Sequence, residues 1–186
     1  MNTYSIALFL HIVGALGFFV VLGLEWIGLS QIRSARLPEE IHVIMGMIKS
    51  TNRLGAVSIL TTIITGLYMQ LTVWRGVPWI LVVLGAFVLE IVIFVVLTGP
   101  RMAAMERALA TEKGPISQSF HNLVNHPILW ISIQTRAAIL LGMIFLKIAK
   151  PDLSGSLLAI GVAVVLGLAS ALSLPRREQA QAGSAD

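Results

Sequence analysis

One apolar run decides the fold of this chain: Ile128-Leu-Trp-Ile-Ser-Ile-Gln-Thr-Arg136-Ala-Ala-Ile-Leu-Leu-Gly-Met-Ile-Phe-Leu146, which carries an arginine near its middle. An ionisable side chain at the centre of a bilayer costs about 2.5–3.5 kcal/mol on insertion scales. Such a side chain therefore faces a protein interior, a partner charge or a water-filled cavity. The run predicts a transmembrane helix within a bundle that has a polar interior.

The remaining sequence has the composition of a polytopic membrane protein. Of its 186 residues, 56% are hydrophobic and 12% are charged, whereas about 25% charged residues is usual in a soluble domain. Because a span needs about 20 apolar residues, we predict an all-α bundle of five transmembrane helices. The spans cover residues 4–29, 54–74, 79–98, 128–148 and 157–174. They form a single domain over residues 1–174, and residues 175–186 are predicted to be a disordered cytoplasmic tail.

Lysine and arginine residues gather on one side of the predicted spans. Nine lie on one side, namely Arg33, Arg36, Lys49, Arg53, Arg101, Arg107, Lys113, Arg176 and Arg177, and three on the other, namely Arg75, Lys147 and Lys150. The positive-inside rule places the richer side in the cytoplasm, with the N-terminus outside. The same rule accounts for the net charge of +4 through contact with a lipid bilayer, so we expect no nucleic-acid partner.

Two segments on the basic side have the pattern of amphipathic helices. Pro38 followed by Glu39 and Glu40 is a helix start, and Arg101–Lys113 precedes the helix-ending pair Gly114-Pro115. Their apolar residues recur at helical spacing: Ile41, Ile44, Met45 and Ile48 in the first segment, and Met102, Met105 and Leu109 in the second. We predict that both helices lie at the cytoplasmic interface of the membrane.

Two carboxylates within the predicted spans, Glu90 and Glu25, are candidates for ion pairs with arginines. Glu90 lies in the third span at a depth similar to that of Arg136 when helices rise 1.5 Å per residue. The pair is either a structural contact between the two spans or part of a ligand or proton site. Glu25 in the first span and Arg53 at the start of the second form another candidate pair, near the cytoplasmic surface.

His11 is the candidate ligand for a metal or a cofactor. It lies on one face of the first span, which comprises Tyr4, Ala7, His11, Gly14, Phe18, Leu22 and Glu25. A neutral imidazole in a dry bundle suits iron or copper. The alternative is a core histidine whose hydrogen bonds are satisfied by a carbonyl or a hydroxyl group.

Two methionines lie at the depth of His11: Met69 in the second span and Met143 in the fourth. Histidine with methionine is a recognised haem axial pair and also a soft Cu(I) ligand set. Methionine is equally an ordinary filler of apolar cores. Arg136 and Arg53 are the cations available for haem propionates, although both lie deeper toward the cytoplasm than His11.

Short motifs along the chain carry a family resemblance. They are His11-Ile-Val-Gly14, Thr65-Gly66-Leu67-Tyr68, Gly99-Pro100-Arg101-Met102, Thr135-Arg136-Ala137 and Lys150-Pro151-Asp152-Leu153. Together they resemble an uncharacterised family of predicted bacterial integral membrane proteins. The layout is similar to that of the CopD-type copper-resistance membrane domain and of the HemJ-type haem-biosynthesis membrane protein.

The resemblance implies a bacterial inner-membrane location, and haem b or copper at the first-span histidine, His11. HemJ-type proteins also use a lysine in a later span, and the predicted spans carry none in their interior, so the chain departs from that pattern. No further histidine is available within the predicted bundle for CopD-type copper binding.

The sequence thus favours an integral inner-membrane protein that binds haem b, or alternatively copper, through His11. A small transporter or proton-coupled channel using Glu90 and Arg136 is a second hypothesis. A non-catalytic subunit of a homo-oligomer or larger membrane complex is a third. We find no phosphate-binding loop, dinucleotide motif, nucleophile triad or paired-carboxylate site, so the sequence gives no catalytic motif.

Overall fold

A computed structural model describes residues 2–112 and 114–172, and all the regular secondary structure in these ranges is helical. The helices are α1 (Thr3–Ile32), α2 (Pro38–Thr72), α3 (Pro78–Ile93), α4 (Gly99–Leu109), α5 (Gln118–Val124), α6 (Pro127–Ala149) and α7 (Leu153–Leu172), and a π-helical segment (Phe94–Thr98) joins α3 to α4. Within these ranges, five helical stretches are long and apolar enough to cross a membrane. The predicted five-span, all-α fold is confirmed. The predicted tail, 175–186, lies outside the described residues.

The spans run up and down between two ends of the bundle. At the far end, Trp74 Nε1 after α2 donates a hydrogen bond of 3.3 Å to Tyr4 Oη at the start of α1. The Lys150 ammonium group after α6 lies 4.8 Å from the centre of the Trp74 ring. The opposite end holds α4 and α5. The described arginines and lysines of the predicted cytoplasmic side also lie there, namely Arg33, Arg36, Lys49, Arg53, Arg101 and Arg107, so we call it the basic end.

Prolines mark the first turn of α2, α3 and α6 at Pro38, Pro78 and Pro127. A proline is favoured there because its missing N–H would have no partner in the helix, and its φ angle is already helical. The imidazole of His126 caps α6 by accepting a hydrogen bond from the Ile128 N–H at 3.3 Å. The start at Pro38 is the one expected from the sequence.

Helix α6 is the centre of the bundle. In the span that contains it, half of the most apolar window is buried, against 17–28% in the other four spans. Its residues Ile139, Leu140 and Met143 form an apolar cluster with Phe18, Leu22 and Ala86 of α1 and α3. The apolar run around Arg136 is therefore the element against which the other spans pack.

Helix α2 is a single helix of 35 residues, although the sequence suggested an interfacial helix that turns into the second span. At 1.5 Å per residue it is about 52 Å long, far longer than the bilayer core of about 30 Å. Its extension stays helical because its apolar stripe is buried within the protein. Ile41 and Ile48 belong to a second core, at the basic end, with Leu29, Met105, Leu109, Phe120 and Leu129.

Two helix pairs form the closest contacts of the fold, α1 with α2 and α6 with α7. Glycines permit this approach. A Cβ atom on Gly14 would lie 2.9 Å from the Ser58 carbonyl oxygen, and one on Gly167 would lie 2.5 Å from the Thr135 Cα. The small residues of the fifth span thus serve close packing against α6.

A seam separates α2 from α3. The two helices are joined by the short loop at residues 73–77, yet along their length α2 contacts α1 and α3 contacts α6, and they have little backbone contact with each other. Two cavities lie along this seam, one toward each end of the bundle. The chemically informative side chains of the protein line these two cavities.

The packing of α7 gives a first test. We expect Gly167→Ala to lower the thermal unfolding midpoint in detergent, because the added methyl group meets the α6 backbone and overpacking costs about 1–3 kcal/mol. Gly161→Ala is the matched control on the same helix, since a Cβ there has nothing within 4 Å. Its midpoint should not fall, because alanine favours a helix more than glycine does. Equal midpoints for the two variants would contradict the close α6–α7 contact.

Candidate functional site

Arg136 contacts two carboxylates inside the bundle. Its Nε lies 3.3 Å from Glu90 Oε2, and its Nη1 lies 3.1 Å from Glu25 Oε2 and 3.3 Å from Glu25 Oε1. All three side chains are almost fully buried, with 7% or less of each exposed. We call this group the charged triad; it joins α1, α3 and α6 at one point.

The predicted contact between Glu90 and Arg136 forms, whereas the predicted pairing of Glu25 with Arg53 does not. The face of α1 that carries Glu25 turns toward α6, so Glu25 binds Arg136 instead. Arg53 is exposed at the basic end, where its charge remains outside the apolar core. A buried arginine with two carboxylates replaces the two separate pairs expected from the sequence.

The triad lies in a cavity of about 380 Å³ toward the basic end, which we call the triad cavity. Apart from the triad, its walls are mainly apolar and include Phe18, Ile59 and Phe94. Glu90 Oε1 is buried and has no hydrogen-bond partner among residues 2–112 and 114–172. Buried polar atoms are almost always paired, so this oxygen calls for an explanation.

The π-helical segment begins four residues after Glu90. The Gly99 N–H bonds to the Phe94 carbonyl, five residues back, and Pro100 follows with no N–H of its own. A proline inside a helix disturbs the preceding turn, and the wider π turn absorbs this disturbance. The ring of Phe94 consequently lies 4.9 Å from the Arg136 guanidinium group, and Thr98 Oγ1 contacts Ser132 Oγ at 2.6 Å.

His11 is held against α2 near the far end. Its Nδ1 lies 3.0 Å from the Thr62 carbonyl oxygen and 3.3 Å from Thr65 Oγ1. Because a carbonyl oxygen only accepts, Nδ1 carries the proton of this hydrogen bond. The other ring nitrogen, Nε2, has no hydrogen-bond partner within the described ranges. A Cβ on Gly66 would lie 3.0 Å from the imidazole Cε1, so the glycine of the Thr65-Gly66 motif makes room for the ring.

A second cavity, of about 240 Å³, adjoins this imidazole, and we call it the histidine cavity. Met69, Gln70, Lys147 and Lys150 also line it. The side-chain oxygen of Gln70 is buried without a partner among the residues that the structure describes. The cavity therefore combines a thioether, an unpaired amide oxygen and two cations in addition to the imidazole.

The other candidate ligands lie elsewhere. Met143, proposed at the depth of His11, packs into the apolar cluster with Phe18 and Ile139 and does not line the histidine cavity. Arg136 is engaged in the charged triad and Arg53 is exposed, so neither lies beside His11. Met69 is the one of the two methionines that lines the cavity with the imidazole.

Sequence reasoning did not include the two lysines of the histidine cavity among the site residues, because it counted Lys147, at the end of the fourth predicted span, and Lys150, in the loop after it, only as basic residues of the outer side. A signal was available for Lys147, which lies eleven residues after Arg136 and four after Met143. This spacing puts all three on one face of a helix. The face of α6 that carries Arg136 thus continues to Lys147, which lines the histidine cavity together with His11.

In residues 2–112 and 114–172, no group of three or more His, Cys, Asp or Glu side chains could hold a metal ion. A comparison of the chain with protein-family models, curated proteins and solved structures finds no match. The two cavities along the seam are therefore the features of the described protein that bear on its function.

The charged triad gives a second test. We expect Arg136→Ala to lower the free energy of unfolding by about 3–5 kcal/mol, because removing one member leaves uncompensated buried charge. Arg53→Ala is the control, since it removes the same kind of side chain from an exposed position and should have little effect. Thermal and denaturant unfolding in one detergent would compare them. An Arg136→Ala variant as stable as the parent protein would show that the triad does not stabilise the bundle.

Proposed function

We propose that this integral membrane protein binds haem b in the histidine cavity, with His11 as an axial ligand. The observation that supports this most is the hydrogen bonding of the imidazole. Nδ1 is fixed by the Thr62 carbonyl, and Nε2 retains its lone pair beside the cavity. Metal-binding histidines use this arrangement, because the bond from one ring nitrogen sets the tautomer and the orientation of the ring.

The donor set favours haem over a bare copper ion. His11 is accompanied in the cavity by one soft ligand, Met69, and two side chains provide few donors for a free metal ion. A porphyrin brings four nitrogen ligands of its own and needs one or two axial ligands from the protein, for which histidine with methionine is a known combination. Copper at the same two side chains remains the alternative.

The shape and charge of the histidine cavity suit a flat, amphipathic ligand. Its volume of about 240 Å³ is smaller than a whole porphyrin, but it opens toward the lipid. Leu8, Ile63 and Leu84 line it and are also exposed on the outer surface. A porphyrin edge would therefore lie against acyl chains. Lys147 and Lys150, at the far end, would pair with the propionates in place of the arginines suggested by the sequence.

In this proposal the chain's own residues bind and orient the group. Thr62 holds the imidazole in one tautomer, Gly66 leaves space for it, and the two lysines fix the polar edge near the membrane surface. Haem, when bound, would supply one-electron redox chemistry. With the basic end in the cytoplasm of a bacterial inner membrane, the haem would lie in the outer half of the bilayer.

An absorption spectrum tests the proposal. We expect the full-length protein, expressed with a haem precursor and purified in mild detergent, to show a Soret band with close to one haem per chain. His11→Ala should lower the haem content at least tenfold, because the axial nitrogen is lost. Lys147→Gln should lower it less, because it removes only a propionate partner.

His42→Ala is the matched control, since His42 is exposed at the basic end and its loss should leave the haem content unchanged. Thermal unfolding of each variant would show that the fold is retained. A parent protein with no Soret band, or a His11→Ala variant with a full one, would refute haem ligation by His11.

A further inference from the structure

The charged triad contains more carboxylates than cations. Arginine stays protonated at every relevant pH, so Arg136 contributes one positive charge against the two carboxylates of Glu25 and Glu90. With both carboxylates ionised, the site carries one net negative charge. Uncompensated charge is costly in an apolar interior, and the triad cavity is therefore a site that attracts one further positive charge.

Glu90 is the member of the triad that is left incompletely bonded. Both oxygens of Glu25 contact Arg136 Nη1, whereas Glu90 contacts Arg136 through Oε2 alone. Its Oε1 is buried and unpaired within the described part of the chain, although only 1% of the Glu90 side chain is exposed. The further positive charge therefore has a specific acceptor atom, Glu90 Oε1.

The dimensions of the triad cavity exceed what a proton or a small inorganic cation requires. It measures about 380 Å³, within the range of about 300–1,000 Å³ that is typical of cavities for small organic ligands. Its walls present Phe18 and Ile59, with few polar groups besides the triad and Thr51 and Asn52. This combination of one acidic atom and apolar walls suits an organic body that carries a single positive charge.

Access from the bilayer is available through the seam between α2 and α3. Ala56 of α2, Ile91 of α3 and Phe94 of the π-helical segment line the triad cavity and are exposed on the lipid-facing surface. A ligand dissolved in the membrane can therefore reach the cavity laterally. A strongly hydrated ion would have to lose its water to take the same route.

We propose that the triad cavity binds a lipophilic monovalent organic cation, which replaces a proton carried by Glu90. The balance is simple: the Glu90 O–H bond breaks, the proton leaves to water, and the cation stays beside the carboxylate that is formed. The net charge of the site is the same before and after the exchange. The cation does not contact the histidine cavity, so this binding is independent of the haem binding proposed there.

The groups that set the pH dependence can be named for each packed element. Glu25 faces Glu90 from α1 and Arg136 faces it from α6. The lining residues of α2 and α4, among them Thr51, Asn52 and Met102, carry no titratable side chain. One exchangeable proton per bound cation is therefore the expected stoichiometry.

Calorimetry with tetraphenylphosphonium tests the proposal on the full-length protein in detergent. We expect saturable binding near one per chain, with the release of about one proton recorded by a pH dye in weak buffer. Affinity should fall toward tenfold for each unit by which the pH is lowered wherever Glu90 is protonated, because the cation must displace that proton. Neutral triphenylphosphine oxide should bind at least tenfold more weakly.

Glu90→Gln keeps the shape of the side chain but cannot ionise, so it should abolish proton release and weaken binding at least tenfold. Glu106→Gln is the matched control, because Glu106 is exposed and pairs with Lys49 at the surface; it should bind as the parent does. His11→Ala should also bind normally, which separates this result from that of the haem experiment.

A further variant, Ala56→Phe, fills the triad cavity from the lipid side and leaves the triad unchanged. It should reduce binding of the cation at least tenfold while the protein unfolds at its usual temperature. Absence of tetraphenylphosphonium binding at every pH would overturn the proposal. So would equal binding of the neutral probe, binding without proton release, or unchanged binding by a folded Glu90→Gln variant.

Discussion

The contact of Arg136 with Glu25 and Glu90 is the constraint on which the rest of the bundle depends. Placing any one of these ionised side chains alone in the bilayer would cost free energy. The cost is offset only where α1, α3 and α6 bring the three side chains into contact. The depth and rotation of three spans are therefore fixed together. Helix α6 consequently becomes the central helix, and the remaining spans arrange themselves around it.

Helix α2 contributes no residue to the charged triad, although it packs closely on α1. Its contact with α3 is slight. The seam that results contains both cavities. One holds an imidazole, a thioether and two lysines; the other holds two carboxylates and an arginine. Basic groups at one end of the seam and acidic groups at the other suit ligands of different chemistry.

Much of this architecture could be predicted from the sequence, because apolar runs and depth counting are local properties. The five spans and the proximity of Glu90 to Arg136 followed from them. The partner of Glu25 did not, since it depends on how α1 rotates against α6, which lies more than 100 residues later in the chain. The π-helical segment was not predicted from the sequence either, although Pro100 lies just after its end.

Among the site residues, helical spacing predicted the face of α1 that includes His11. Counting depth along the second span predicted that Met69 lies level with His11. Met143 had the right depth but faces the apolar cluster, because depth alone does not specify the direction of a side chain. Lys147 was left out of the site because it was counted only as one of the basic residues on the outer side of the predicted spans. Structure and sequence differ most where direction, not position, decides the contact.

The charged triad also constrains how the protein is made. Glu25 and Arg136 are 111 residues apart, so at a synthesis rate of about 5–20 residues per second the carboxylate precedes the arginine by roughly 5–20 s. During that interval the first span has no arginine to neutralise its acidic group. The contact that fixes α1 against α3 and α6 can therefore form only late in translation, after the fourth span has been made.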